Sequence, residues 1–469
     1  MNQNTSIQSH LRLSTGGWDW VTREACSAAE TSHHRVIRKR IARSTGLMVN
    51  SGKVDWFRKP SHLLPIIFLV GFAAWRYGSQ VWKGHPGDIY HRWLGSRELL
   101  LNGRNPYGKE VTEEIQVGLS GHKYDSRRDT AEQRFYYPVY VVFLMAPTVR
   151  LPFPWVKKLF AVLLLVLTTV SVPVWLDFVQ WRLTPTQQFL VVVLTLASMP
   201  ALQGIYLQNL GLLVSALIAG GCLAVRRGRL ILAGPLLALA TIKPHLVLPL
   251  AGCLCIWSTG AWNERRKLVW SFLLSMAELI AAGELILPGW VTQCVRGIFV
   301  YPAKSYGVMP LQLVFTRPLG LLLALPVMAA TAYLAWRLRR APASSAEFSL
   351  VVVSVLAATL LVTPSLVPYS DLQLLPAVLL LLKQRKEIWG LGRWARHTLV
   401  AAIGLVMWPY VATIFLAAIS PVLPALASRL WIAPLAVMPV LPLFLVAGLA
   451  WEVFRQLRRG PLAIANAAV

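Results

Sequence analysis

The chain is dominated by long apolar runs separated by short polar connections. Runs such as HLLPIIFLVGFAAW, LFAVLLLVLTTVSVPVWL and FSLVVVSVLAATLLV approach or reach the roughly 20 residues that an α-helix needs to cross a bilayer. They lack the alternating pattern of barrel strands, and backbone polar groups in hydrocarbon must be satisfied within their own segment. The pattern predicts an all-α polytopic membrane protein with about 12–13 transmembrane helices.

Three regions follow from the placement of these runs. Residues 1–59 are polar and basic and lack the apolar core of a signal peptide, so we expect a cytoplasmic tail without a fold of its own. Residues 60–455 form the predicted transmembrane domain, and 83–134 form its large first extracytoplasmic loop. Residues 456–469 are a predicted cytoplasmic C-terminal tail.

The composition supports the membrane class and shows how the high positive charge should be interpreted. With 56% hydrophobic residues, 14% charged residues and a mean hydropathy of +0.54, a soluble globular protein is excluded. The net charge of +26 would suggest nucleic acid as a partner of a soluble protein. Here the basic residues form short clusters between apolar runs, where they act as orientation signals. We therefore expect membrane lipids, and no nucleic acid, as partners.

The basic clusters predict an orientation in a bacterial plasma (inner) membrane. If all of them are cytoplasmic, the N-terminus is cytoplasmic, and 83–134, 288–316 and 364–371 are outside. Loops should alternate between the two sides of the membrane. If residues 186–209 and the following apolar run are counted as two full crossings, RRGR and everything after it fall on the wrong side. We therefore predict a broken or re-entrant element there, interrupted at the polar QGIYLQN. The clusters are RVIRKRIAR at 35–43, Lys157 and Lys158, RRGR at 226–229, ERRK at 264–267, RLRR at 337–340, KQRK at 383–386 and RQLRR at 455–459.

The first outer loop is much longer than the other connections, and such loops are usually functional or disordered. It begins with GDIY at 87–90. The stretch YHRWLGSRELLL at 90–101 has apolar residues at spacings that predict a short interfacial helix. NGRNPYG at 102–108 is typical of a turn.

Several short motifs, taken in order, resemble glycosyltransferase family 87, and the resemblance covers roughly residues 60–385. It implies a GT-C-like bundle that uses a polyprenyl-phosphate sugar, typically polyprenyl-phosphate mannose, on the extracytoplasmic side. The motifs are Asp88 after the first helix, NPY at 105–107, YYPVY at 136–140, QN at 208–209 and AGPLLALATIKP at 233–244.

The implied reaction needs a carboxylate to take the proton of an acceptor hydroxyl and cations around the departing phosphate. Asp88 is the first candidate for the base, and its alternative role is that of a helix-end residue. Asp371 is the second candidate. The YSDL sequence around it departs from the family pattern by one inserted residue and has no histidine, so Ser370 and Asp371 could instead cap the next helix.

Lys243 is the sharpest candidate for binding the donor phosphate, because a lysine between apolar helices is costly to bury without an anion. Alternatively, the Lys243 side chain could extend toward the membrane–water interface. Arg92 lies one turn beyond Asp88 and could pair with it. Arg296 and Lys304, on the outer loop at 288–316, complete the phosphate candidates.

Sugar or acceptor contacts are expected from a further set of polar side chains in the same loops. For Gln208 and Asn209 the alternative is hydrogen bonding between helices. No metal site is expected, since there is no Asp-x-Asp pair and no His-x-x-x-His, and no cofactor is needed beyond the lipid-linked sugar. The contact candidates are Asn105, Tyr107, Tyr137, Gln208, Asn209, His245, Tyr306 and Tyr369.

The function expected from this pattern is inverting transfer of a hexose, with mannose as the expected sugar, to a lipid or glycan hydroxyl. The main alternative is a transporter or lipid flippase. Such proteins usually show repeated halves with corresponding broken helices, whereas this chain has one dominant loop near its N-terminus. A noncatalytic membrane subunit is the third alternative, and the presence of Asp88 argues against it.

Overall fold

The computed structural model describes residues 68–72, 75, 87–129, 132–300, 308–364 and 367–458. All of them belong to one unit of the chain, Pro60–Val469. The predicted tail at 1–59, Lys304 and Tyr306 lie outside the described residues. The predicted C-terminal tail is described only as far as residue 458.

Within the described residues the protein is helical and contains no strand, which confirms the predicted all-α membrane class. Short 3₁₀ turns lie at Ala146–Thr148, Pro368–Leu374 and Ala433–Leu435. The α-helices are α1 (Ile89–Asn102), α2 (Lys109–Ser120), α3 (Val141–Met145), α4 (Phe153–Phe178), α5 (Pro185–Leu196), α6 (Met199–Tyr206), α7 (Gly211–Arg226), α8 (Leu230–Ala240), α9 (Pro244–Thr259), α10 (Trp262–Ile286), α11 (Trp290–Val300), α12 (Pro310–Val314), α13 (Arg317–Arg337), α14 (Ala346–Val362), α15 (Leu375–Lys383), α16 (Arg385–Trp389), α17 (Arg393–Ile419), α18 (Pro424–Arg429) and α19 (Leu441–Arg458).

By length and composition, four of the described helices can cross a membrane, or five if a bent pair counts as one span. The long helices are α4, α10, α13 and α17, and the shorter apolar helices are α7, α8, α9 and α14. This number is lower than the sequence count of crossings. The apolar runs are present, but several are divided by polar residues or proline into helices shorter than a bilayer requires.

The broken element predicted at 186–209 is confirmed, and it contains two interruptions. Helices α5 and α6 meet at an angle of 58°. Ser198 begins α6 by accepting a hydrogen bond from the Ala201 backbone N–H, and this cap competes with continuation of α5. The second interruption follows Tyr206, where Gln208 has a φ of 50°. The predicted polar break therefore covers the end of α6 and the turn into α7.

The segment between the first loop and α4 does not cross the bundle. It contains only α3 and a 3₁₀ turn, and the Trp93 indole N–H of α1 donates to the Thr148 carbonyl at 3.2 Å. Phe153, the first residue of α4, packs against Tyr90 and Trp93 of α1, with ring centroids 4.9 and 5.2 Å apart. Helix α4 therefore starts at the end of the bundle that carries α1.

This arrangement corrects one sequence expectation. Lys157 and Lys158 lie in the first turns of α4, at the α1 end, and not with the other basic clusters. Residues 135–152 do not cross the bundle, so there is one crossing fewer than the sequence suggested. The α5–α6 pair and α7 can then each cross the bundle, in opposite directions, and RRGR still lies at the same end as the other three clusters. A re-entrant element is not needed to explain the position of RRGR.

Four of the other clusters meet at the opposite end of the bundle. Arg226, the last residue of α7, donates to the carbonyls of Phe178 and Ser344 at 2.7 and 2.6 Å. Arg265 donates to the Arg339 carbonyl at 2.6 Å, in the same α13–α14 connection. Lys383 donates to the Val179 carbonyl at 2.8 Å. The two ends therefore differ in character, and the opposite end gathers the basic clusters at 226–229, 264–267, 337–340 and 383–386.

Candidate active site

Asp88 is docked onto the turn between α6 and α7. Its backbone N–H donates to the Leu207 carbonyl at 2.6 Å. Gly87 has a φ of +98°, and a Cβ added there would lie 2.3 Å from Gln208 Oε1 and 3.3 Å from the Leu207 carbonyl. Only glycine combines this backbone conformation with such a close approach. The sequence GD thus places the carboxylate directly beside QN.

Asn209 connects Asp88 to Lys243. Its Nδ2 donates to Asp88 Oδ2 at 2.6 Å, and its Oδ1 accepts from Lys243 Nζ at 2.6 Å and from the Gly211 backbone N–H at 2.8 Å. Asn209 is 1% exposed. The structure therefore shows the alternative role of Asn209, which is hydrogen bonding between separate segments of the protein.

Lys243 lies between α8 and α9 and is 6% exposed. Its ammonium lies 4.5 Å from the centre of the Tyr369 ring, a distance at which a cation and an aromatic face attract. The Tyr369 backbone N–H donates to Gln203 Oε1 at 3.2 Å, so α6 positions the aromatic residue as well. Lys243 does not extend toward an interface. It points into the group of polar residues around Asn209.

Arg92 is the second buried cation and is 4% exposed. Its guanidinium carbon lies 4.0 Å from the Tyr137 ring centre, and its Nη2 donates to the Tyr137 hydroxyl. Its Nε and Nη1 are buried and have no hydrogen-bond partner among the described residues. The predicted ion pair with Asp88 is not formed, because Asp88 bonds Asn209 and Arg92 bonds Tyr137. The two charges still interact electrostatically.

The NPY turn supports Tyr137. The Tyr107 hydroxyl donates to the Tyr137 carbonyl at 2.5 Å, and the Tyr107 backbone N–H donates to Asn105 Oδ1 at 3.0 Å. Asn105 Nδ2 donates in turn to Gln293 Oε1 of α11 at 2.7 Å. These polar groups are engaged within the protein, and their contact with a sugar or acceptor stays a prediction.

His91, which had no role in the sequence interpretation, contacts the backbone of Asp88. Its Nδ1 lies 3.0 Å from the Asp88 carbonyl oxygen, and its Nε2 lies 2.9 Å from Gln133 Oε1. Burial lowers the pKa of His91, and the neighbouring Arg92 lowers it further. Gln133 is 42 residues away in sequence, so no local pattern could have revealed this contact.

Asp371 is not a helix cap. It lies inside the 3₁₀ turn Pro368–Leu374, and α15 begins after Leu374 with no side-chain cap. The capping interpretation of Ser370 and Asp371 is therefore wrong. Burial raises the pKa of Asp371 well above its ordinary range, because removing a carboxylate from water favours the neutral acid.

The other candidates are placed as follows. Gln208 donates to the Ile205 carbonyl at 2.8 Å, and its Oε1 is buried beside Gly87. His245 is exposed in the first turn of α9, and Arg296 is exposed on α11. Their contact with substrate stays a prediction. No group of three His, Cys, Asp or Glu side chains that could hold a metal occurs among the described residues.

The polar group is recessed below the start of α4. Helices α4 and α7 end together, yet they contain 26 and 16 residues, which correspond to about 39 and 24 Å at 1.5 Å per residue. The difference places the start of α7 roughly 15 Å below Phe153. Leu164 of α4 packs with Leu212 of α7 and Leu372, as this offset requires.

Fold and site together define an all-α membrane protein with a carboxylate, an amide and two buried cations grouped toward one end of its bundle. The family comparison is more specific. Residues 135–364 match the model of glycosyltransferase family 87, so the chain contains a glycosyltransferase family 87 domain. A domain of this family implies a membrane glycosyltransferase. Neither a curated protein nor a solved structure matches the chain.

The matched range is shorter than the predicted one. It includes Tyr137, Asn209 and Lys243, whereas Asp88, Arg92 and the NPY turn precede it. Asp371 follows it. The structure joins the two parts, because Asp88 is bonded to Asn209 inside the matched range.

Proposed function

We propose that the protein transfers a hexose, with mannose as the first choice, from a polyprenyl-phosphate donor to a lipid or glycan hydroxyl. Asp88 is the general base of an inverting displacement. The observation that carries the proposal is the group formed by Asp88, Asn209 and Lys243, with Arg92 beside it. This group offers a carboxylate for the acceptor's proton and two buried cations for a phosphate.

In this reaction the acceptor oxygen forms a bond to the anomeric carbon while the bond from that carbon to the phosphate oxygen breaks. The hydroxyl proton passes to Asp88, and the bonding electron pair leaves with the polyprenyl phosphate. The products are the glycosylated acceptor and a lipid monophosphate. Lys243 and Arg92 stabilise the charge that develops on the phosphate, and their low exposure strengthens this interaction.

The choice of Asp88 over Asp371 rests on contacts. Asp88 is hydrogen-bonded to the amide that also binds Lys243, whereas no hydrogen bond or ion pair among the described residues joins the Asp371 carboxyl group to these residues. Asp88 accepts one hydrogen bond on Oδ2, from Asn209, and keeps lone pairs for a hydroxyl.

The donor explains why two cations lie close to each other in a buried place. Arg92 retains two buried nitrogen donors, Nε and Nη1, without a partner among the described residues. Leaving such donors unsatisfied costs about 1–3 kcal/mol, or more when they are charged. A phosphate oxygen would satisfy them, since guanidinium groups match phosphate geometry.

The proposed location is the extracytoplasmic side of a bacterial inner membrane, with the N-terminus in the cytoplasm. Support comes from the basic clusters, which meet at the end of the bundle opposite α1. Basic residues are enriched in cytoplasmic loops, so the α1 end is assigned to the outer side. A polyprenyl chain in the bilayer would bring its phosphate to the polar group from the membrane side, since this group lies roughly 15 Å below Phe153.

The test uses the purified protein in lipid nanodiscs with radiolabelled polyprenyl-phosphate mannose and a membrane lipid extract as the acceptor source. We expect transfer by the wild type and loss of transfer by Asp88→Ala. A nucleotide-linked mannose serves as the control donor. Transfer from the nucleotide sugar alone would contradict the proposed donor. Substrate uptake into vesicles without transfer would favour the transporter.

A further inference from the structure

We propose that Asn209 is a positioning residue that holds Asp88 and Lys243 apart, so that the base and the phosphate-binding cation do not neutralise each other. This inference rests on the proposed function. It assigns Asn209 a role between two protein groups, in place of the sugar contact expected from the sequence.

The orientation of the Asn209 amide is determined by its neighbours. Lys243 Nζ and the Gly211 backbone N–H are donors only, and both lie at Oδ1. The amide nitrogen must then face Asp88, whose carboxylate is an acceptor. Reversing the amide would place donor against donor and acceptor against acceptor. Asn209 therefore has one stable orientation.

The backbone around Asn209 is held as tightly as its side chain. The Asn209 backbone N–H donates to the Gly204 carbonyl at 2.8 Å, and the preceding Gln208 has a positive φ of 50°. Gly211 provides the space, since a Cβ there would lie 3.1 Å from Asn209 Oδ1 and 3.2 Å from Lys243 Nζ. The turn between α6 and α7 is thus shaped around this amide.

The spacing has a chemical consequence. Asp88 forms no ion pair with Lys243 in the described structure, although both groups bond the same amide. Without Asn209, the half-buried Asp88 carboxylate and the buried Lys243 ammonium would attract each other. Direct contact would weaken Asp88 as a base and withdraw Lys243 from the phosphate. In an inverting displacement the acceptor and the leaving group lie on opposite faces of the anomeric carbon, so the two groups must act at separate positions.

The variants are chosen to separate this role from a merely structural one. Asn209→Ala removes the spacer. Asn209→Asp keeps the shape, gives Lys243 an acidic partner and replaces the amide donor to Asp88 by a second carboxyl group. The exchange variant Asp88→Asn with Asn209→Asp restores the hydrogen-bond pattern and removes the base. The control is Asn102→Ala, because the Asn102 amide also donates to a carboxylate, Glu98, at 2.8 Å but lies at the far end of α1.

Steady-state transfer from polyprenyl-phosphate mannose and thermal unfolding are measured for each variant. We expect Asn209→Ala to lower kcat at least about tenfold, within the range for disturbed general-base catalysis. Asn209→Asp should raise the donor KM at least about tenfold, because Lys243 is neutralised. The exchange variant should unfold near the wild-type temperature and transfer nothing. Asn102→Ala should match the wild type.

Two kinds of failure can be told apart. If Asn209→Ala keeps kcat and donor KM within about twofold in an active enzyme, the positioning role is overturned and the proposed function stands. The role is also overturned if Asn209→Ala and Asn209→Asp lose activity only in proportion to lost thermal stability. A wild type that transfers nothing from the polyprenyl-phosphate donor contradicts the proposed function and, with it, this role.

Discussion

Replacing Lys243 by methionine tests the phosphate side of the site with little structural disturbance. Methionine has a similar length and lacks the charge. After the change, Asn209 Oδ1 still accepts from the Gly211 backbone N–H at 2.8 Å, so no buried acceptor is left without a partner. The new side chain can also remain in contact with the Tyr369 ring, which lies 4.5 Å from the ammonium in the wild type.

The size of the effect follows from burial. Lys243 is 6% exposed, so a phosphate that contacts it is largely shielded from water. Removing one partner of a buried, hydrogen-bonded charge pair costs about 2–5 kcal/mol. The lower figure corresponds to about a 30-fold weaker donor affinity. The free energy of unfolding should change little, because a buried charge is removed together with its favourable contacts.

The assay is equilibrium binding of polyprenyl-phosphate mannose to the protein in nanodiscs, with thermal unfolding measured in parallel. Lys383→Met is the matched control. The Lys383 ammonium also bonds within the protein, to the Val179 carbonyl at 2.8 Å, but it lies at the opposite end of the bundle. We expect it to leave donor affinity unchanged.

If Lys243→Met binds the donor within about twofold of the wild type, Lys243 does not contact the phosphate, since a buried cation on the phosphate cannot be removed at so small a cost. An equal loss of affinity in both lysine variants would also refute this contact. Such a result would mean that the change acts through general destabilisation.

Three further changes test the surroundings of the base. Gly87→Ala should destabilise the protein by about 1–3 kcal/mol and reduce transfer, because of the φ of +98° and the contact with Gln208, and thermal unfolding with initial rates checks it. Arg92→Lys should weaken donor binding about tenfold, since lysine lacks the planar fork, and donor KM is the measurement. His91→Gln should flatten the pH dependence of stability. The pKa of His91 is lowered from 6.5, so wild-type stability falls as the pH drops below that value, and the wild-type and variant unfolding temperatures should diverge only there.

The fold class could be predicted from the sequence, because apolar runs of bilayer length allow only helices in a membrane. The helix at 89–102 was also predictable from its spacing, and the interruption after Tyr206 from QGIYLQN. The 58° bend at Ser198 precedes that motif and was not predicted from it. Helix lengths were less accessible. For example, one apolar run is divided into two short helices. Helix α8 ends at Ala240 and α9 starts at Pro244, because the polar residues Thr241 and Lys243 and the proline interrupt the run.

The sequence predicted several residues of the candidate site, but it did not predict the contacts between them. Asp88 was a candidate because of the family resemblance, and Lys243 because a lysine between apolar helices is costly to bury, but the bond between Asp88 and Asn209 spans 121 residues. No local pattern contains such a distance. The ion pair between Asp88 and Arg92 was expected from helical spacing alone. It failed because Tyr137 and Asn209, brought in by other segments, are better placed to bond each partner.

The side of the bundle on which α4 begins also could not be read locally. FYYPVYVVFLMAP is apolar enough to suggest entry into the membrane, yet α3 has five residues and Phe153 packs on α1. Tertiary contacts with Tyr90 and Trp93 decide the matter. The prediction that Lys157 and Lys158 lie on the same side as the other basic clusters is therefore wrong.

The central claim is that Asp88 is the base and that Asp371 is not. The most direct test compares the transfer rates of Asp88→Asn and Asp371→Asn with polyprenyl-phosphate mannose at saturating donor. Asparagine keeps the shape of the carboxyl group and cannot accept a proton, so each variant removes a possible base with little change in packing. We predict that Asp88→Asn lowers the rate at least about 100-fold, whereas Asp371→Asn stays within about threefold of the wild type. The reverse pattern, with an active Asp88→Asn and an inactive Asp371→Asn, would contradict the account.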